Sequence, residues 1–146
     1  MIALICGPPG AGKTTIVAGV AERLDARGSP LRVLHSDGFS ANTYGQMYER
    51  VAGEGGDWLL DGTFYERGFR ERFRALDDVY VVHVAASLET CLRRNRAREG
   101  SIDETGVYAI YREFERPRAD LTVDTDELPV EEAVTRVVRA VERWRD

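Results

Sequence analysis

The segment Gly7-Pro8-Pro9-Gly10-Ala11-Gly12-Lys13-Thr14 matches G-x-x-x-x-G-K-[ST] at every fixed position. This spacing suits one kind of chemistry, the cradling of a nucleotide's phosphate tail. Glycines let the chain curl so that successive N–H groups point inward at phosphate oxygens. A helix starting directly after the loop adds partial positive charge. Lys13 is placed to bridge the β- and γ-phosphates, and the Thr14 hydroxyl to ligate Mg²⁺. Thr15 completes the expected nucleotide-binding set. Lys13 is the only lysine among 20 basic residues. ATP and Mg²⁺ are therefore the expected ligands.

Two aspartates come next. Asp37 follows the second apolar run and Asp61 ends the third. In an open parallel sheet, ligands sit at the carboxyl ends of the strands. Asp61 is expected to hold Mg²⁺, directly or through water. Asp37 is expected to orient the attacking hydroxyl or accept its proton. His35 and His83 lack partners at metal spacing and read as structural.

Arg93, Arg94, Arg96 and Arg98 crowd one short stretch. Arg94 and Arg98 are four apart, which on a helix is one face. Phosphoryl transfer needs positive charge on the migrating group and exclusion of water. The cluster is expected to form a mobile lid, with Gly100 and Ser101 as its hinge.

The elements that position these groups follow from periodicity. Residues 2–6 form a continuous apolar run, as in a strand buried on both faces. Ile16, Val17, Val20 and Leu24 recur at helical spacing, and the turn at 28–30 ends that helix. Further strands are expected at 31–36, 58–61, 79–84 and 121–123. Helices are expected at 43–52, 66–76, 104–115 and 130–144, and another capped by Ser87 and running to 98. Residues 53–56 read as a turn. Strands alternating with helices imply an α/β/α three-layer sandwich around a five-stranded parallel sheet. Residues 1–146 read as a single domain.

Composition narrows the function further. Hydrophobic residues make up 43% of the chain and charged residues 31%. No run approaches the roughly 18–20 apolar residues that span a bilayer. Cys6 and Cys91 have no metal spacing and read as buried apolar groups. These features point to a cytoplasmic protein, monomer or homodimer, with no membrane partner. The net charge of −5 disfavours a broad nucleic-acid surface.

Taken together, the loop, the strand-end aspartates and the arginine cluster resemble the nucleotide-kinase-like group of P-loop NTPases. Leu60-Asp61-Gly62-Thr63-Phe64-Tyr65 with Arg70 is similar to a segment of L-seryl-tRNA(Sec) kinase, and phage-type polynucleotide kinases have a related one. The run from Ala86 to Asn95 with Arg98 resembles the lid approach of the seryl-tRNA kinase. Phe114-Glu115-Arg116-Pro117 and Leu121-Thr122-Val123-Asp124-Thr125 resemble a region shared with adenylylsulfate kinases. The resemblance implies a central P-loop strand, Arg70 near the acceptor or phosphates, and Arg94 and Arg98 as lid arginines. It also implies that residues 125–128, starting at Thr125, border the adenine.

The expected activity is transfer of the γ-phosphate of Mg·ATP to a small hydroxyl acceptor, with adenylylsulfate as the leading candidate. Adenylylsulfate kinases usually carry an Arg and an Asn just after the strand-end aspartate. Here Asn42 is offset, and the next arginine is Arg50. The competing readings are a kinase of seryl-tRNA or of a polynucleotide 5′-hydroxyl, and a non-catalytic ATP-binding module.

Overall fold

Every residue of the run Ile2–Cys6 is buried, as an apolar strand with both faces covered requires. The structure, a computed structural model, describes residues 1–98 and 101–146. The order of elements is β1 (Ile2–Cys6), α1 (Lys13–Ala26), β2 (Arg32–His35), α2 (Thr43–Glu54), β3 (Trp58–Gly62) and α3 (Arg67–Arg74). β4 (Val79–Ala85), α4 (Leu88–Ala97), α5 (Glu104–Glu113), β5 (Leu121–Asp124) and α6 (Val130–Arg145) complete it. A 3₁₀ turn, Ser36–Gly38, follows β2.

The strands form one parallel sheet in the order β2-β3-β1-β4-β5. This is the α/β sandwich expected, with the loop-bearing strand at its centre. Strand residues alternate between faces, and β1 divides accordingly. Ala3 and Ile5 pack with Val17, Val20 and Leu24 of α1 and Val134, Val137 and Val141 of α6. Ile2, Leu4 and Cys6 pack with Met47 and Val51 of α2 and Phe73 of α3. Among the described residues, no helix is long and apolar enough to cross a membrane.

Three local expectations change. Helix α2 runs on through Gly53 and Glu54, and Gly55, at φ 64°, ends it. Helix α4 stops at Ala97, and Arg98 has extended backbone. Arg94 and Arg98 therefore do not share a helix face. Gly100, expected as a hinge, lies outside the described residues.

Ser87 caps α4 as expected. Its side chain accepts from the Thr90 N–H at 3.1 Å, satisfying one of the orphan donors of the first turn. Ser87→Ala should cost about 1 kcal/mol of folding stability, read as a lowered urea midpoint with an unchanged slope.

Candidate active site

A parallel sheet sends all its strand ends to one edge, so β1, β2 and β3 deliver their following residues to one place. Asp61 lies opposite Ile5 on one side and His35 on the other. It follows Leu59 by two residues and so shares Leu59's face, which α1 covers. The first turn of α1 puts Thr14 there. Thr14 Oγ1 donates to Asp61 Oδ2 at 3.1 Å. His35 Nδ1 lies 2.8 Å from the same oxygen.

The loop between β1 and α1 holds a specific shape. Gly10 (φ 84°) and Gly12 (φ 105°) take backbone conformations that favour glycine. A Cβ on Gly10 would also lie 2.5 Å from the Cys91 carbonyl oxygen of α4. Helix α1 opens without a capping side chain, and the N–H groups of Lys13, Thr14 and Thr15 donate to no backbone carbonyl. These orphan amides and the helix dipole favour an anion.

Lys13 is almost fully buried, and its Nζ donates to Pro8 O at 2.9 Å. Burial pushes its pKa down to about 8, although the Asp61 carboxylate pulls it up. Below that value the lysine is an ammonium, and above it a neutral amine. Cys6, at the base of the loop, is pushed up to about 12 by burial. Cys91 is raised to about 11 for the same reason. Both cysteines are free, buried and unreactive thiols.

Three cavities meet around the loop. The first, about 640 Å³, lies over Gly10, Gly12, Lys13, Thr14 and Thr15 and is bordered by Asp37, Arg94 and Arg98. The second, about 320 Å³, runs from Gly12, Thr15 and Arg94 to Thr125, Leu128, Pro129 and Val130. The third, about 460 Å³, lies between α2 and α3. Its walls include Asp37, Asn42, Tyr44, Tyr65, Phe69 and Arg72. Asp37 borders both the first and the third.

Arg94 is fixed rather than free. Its Nη1 donates to Ala11 O (2.9 Å) and Thr125 Oγ1 (2.8 Å), and its Nη2 to Thr125 O (3.1 Å). Thr125 Oγ1 in turn donates to Ala11 O at 2.7 Å. Arg98 is exposed at the cavity edge. Arg70 stands apart. It is buried beneath the β3–α3 connection, and Nη1 donates to Phe64 O at 2.6 Å. It borders none of the three cavities. Among the described residues its Nη2 has no hydrogen-bond partner, and burial lowers its pKa.

The sequence reading did not foresee the contact between His35 and Asp61, nor the aromatic walls contributed by Tyr44, Tyr65 and Phe69. His35 had a usable signal, since it ends β2 as Asp61 ends β3. His83 is buried, stacks on Phe114 with centroids 5.5 Å apart, and does not reach the phosphate cavity.

A sheet of this order, with a lysine-bearing glycine loop on its middle strand, defines a P-loop phosphotransferase of the kinase class. Residues 2–122 match the AAA domain family model, and the chain belongs to that family. It is similar to the probable adenylyl-sulfate kinase of Halalkalibacterium halodurans, at 32% identity over 90% of this chain and 77% of that protein. The APS kinase CysC of Mycobacterium tuberculosis, solved with AMPPNP and APS, shares the fold. Its TM-score is 0.71 at 20% identity, over 97% of this chain and 96% of that one. A sugar kinase from Janibacter sp. HTCC2649 does so with TM-score 0.76 at 20% identity, over 97% and 94%.

The depressed Lys13 has a consequence for nucleotide binding. A polyphosphate restores the ammonium, so ATP uptake above about pH 8 draws one proton from solution. Calorimetry in buffers of different ionisation enthalpy should find no Lys13 proton uptake at pH 7 and nearly one proton at about pH 9. Lys13→Met should abolish that uptake.

Proposed function

We propose that the chain transfers the γ-phosphate of Mg·ATP to a hydroxyl of a small acceptor held between α2 and α3. The observation that carries this is the position of Asp37, which borders both the phosphate cavity and the aromatic-walled one. A group at that junction can touch an acceptor hydroxyl and the migrating phosphoryl group together. Adenylyl-sulfate is the acceptor best supported, because the relative at 32% identity is named for it.

The triphosphate tail lies on the α1 amides in this reading, with Lys13 released from Pro8 O to grip the β- and γ-phosphates. The adenine occupies the second cavity, against Thr125 and Leu128. Thr14 and Asp61 suit magnesium held jointly with phosphates and water. Among the described residues, no cluster of three acidic, histidine or cysteine side chains would cage a metal alone, and Mg²⁺ rarely needs one. When bound, magnesium neutralises charge on the β- and γ-oxygens.

Asp37 accepts the proton from the acceptor hydroxyl as its oxygen bonds to the γ-phosphorus. The bond from that phosphorus to the bridging oxygen breaks, and ADP leaves. Arg98 offsets charge on the moving group. Arg94 holds the loop in shape beside it. The domain is one catalytic unit, with Asp37, Lys13 and Arg98 acting on the phosphoryl group.

Transfer of label from γ-labelled ATP to adenylyl-sulfate tests the acceptor, with a hexose and a 5′-hydroxyl oligonucleotide run in parallel. Label on adenylyl-sulfate is expected, and label only on another acceptor would reject that assignment. Asp37→Asn should lower kcat by about 10²–10⁴-fold with little change in KM for ATP. An unchanged kcat would remove Asp37 from the chemistry.

A further inference from the structure

Asp61 is an unusual carboxylate for its surroundings. Its side chain is 6% exposed, and a buried carboxylate is costly unless hydrogen-bonded. Lys13 interacts with it through charge alone, without a hydrogen bond. Lys13 bonds Pro8 O, and among the described residues the one basic side chain within ion-pair distance of Asp61 is His35. Thr14 and His35 both meet Oδ2. Oδ1 accepts no hydrogen bond from the described residues, yet it is not a sealed, unpartnered atom. The two donors thus fix the carboxylate's rotation and leave one oxygen open.

We propose that His35 is a positioning residue for the metal: its ring N–H holds Asp61 so that Oδ1 faces the magnesium shell of bound ATP. This rests on the Mg·ATP reading above. A carboxylate only accepts, so the ring proton sits on Nδ1. His35 and Asp61 are paired in register on neighbouring strands, so the sheet itself sets the contact. The imidazole is 43% exposed, and the β2–β3 ladder closes through backbone groups without it. Its contact with Asp61 therefore serves the carboxylate more than the core. Thr14 alone is a weaker guide, because its hydroxyl must also meet the metal. A second donor from β2 keeps Asp61 oriented while Thr14 is engaged.

The test exploits the geometry of amide replacements. Asparagine places an N–H close to the Nδ1 position, whereas glutamine places one near Nε2. Calorimetric titration of AMPPNP, with magnesium and with EDTA, is made on the native chain, His35→Asn, His35→Gln and His35→Leu. His35→Gln and His35→Leu should lose about tenfold of the magnesium-dependent gain in affinity, the size typical of an outer-shell partner. Affinity in EDTA should stay unchanged, and His35→Asn should restore the magnesium response. Equal magnesium responses in the Asn and Gln variants would overturn the proposal. The Asn–Gln pair alone decides it if the leucine variant fails to fold. A native chain that shows no magnesium-dependent uptake would overturn the Mg·ATP reading itself. Native-like uptake in all variants would overturn only the role of His35.

Discussion

A loop that turns its N–H groups inward must turn its carbonyls outward, and those carbonyls need donors of their own. This constraint organises the nucleotide side of the molecule. Arg94 and Thr125 supply the donors at Ala11 O, and Arg94 also approaches Gly10 O at 3.4 Å. Thr125 is held by its own N–H on Ala85 O at 2.9 Å, so β4, β5 and α4 all brace the loop. Asp126 tightens the brace from the other side by accepting from the Ser87 N–H at 2.7 Å. An arginine committed to four carbonyl and hydroxyl contacts is a strut. Arg98, by contrast, is exposed and has left the helix.

The cavity between α2 and α3 is built differently, from packed rings. Tyr44 lies 4.5 Å from Phe69, and Tyr65 lies 5.6 Å from Phe69, measured between centroids. The Tyr44 hydroxyl sits 2.9 Å from Thr63 Oγ1 and accepts from the Phe64 N–H at 3.0 Å. This ties α2 to the end of β3, one turn from Asp61. Both walls of the third cavity are therefore referenced to β3, the strand that carries Asp61. Arg72 borders that cavity with its guanidinium 4.4 Å above the Tyr48 ring. A planar cation is attracted to the face of an aromatic ring.

Much of this was legible in the sequence, and the gaps have physical reasons. The bounds of β1 are those the apolar run predicts, because an unbroken run between Met1 and a glycine has one reading. The cap at Ser87 and the positions of Asp37 and Asp61 were readable because strand ends and caps are local. Helix α2 overran its expected end because Gly53 near its C-terminus costs only about 1 kcal/mol, which the packing of Met47 and Val51 offsets. The shared face of Arg94 and Arg98 failed because it assumed one more residue of helix than exists. The contact of His35 with Asp61 was hidden for a different reason. Its partner is 26 residues away, and only the pairing of β2 with β3 brings them side by side. The aromatic cavity was equally hidden, since Tyr44 and Phe69 come from different helices with no common period.

The two buried cations show why this arginine-rich chain keeps a lysine in its loop. Burial draws the pKa of Lys13 down toward 8, so the charge of a lysine here can respond to its surroundings. An arginine there would stay charged at every accessible pH, and its broad fork would need several acceptors at once. Arg70 shows that cost directly. It remains buried and charged, with Nη1 on Phe64 O and Nη2 unpartnered. Phe64 itself holds φ 44°, strained for a bulky residue. Arg70 thus stabilises a strained bend that carries Tyr65, and through it shapes a wall of the third cavity without bordering it. The division is a chemical one. The lysine in the loop has a charge that its surroundings can tune, whereas the arginine that holds a fixed carbonyl keeps its charge permanently.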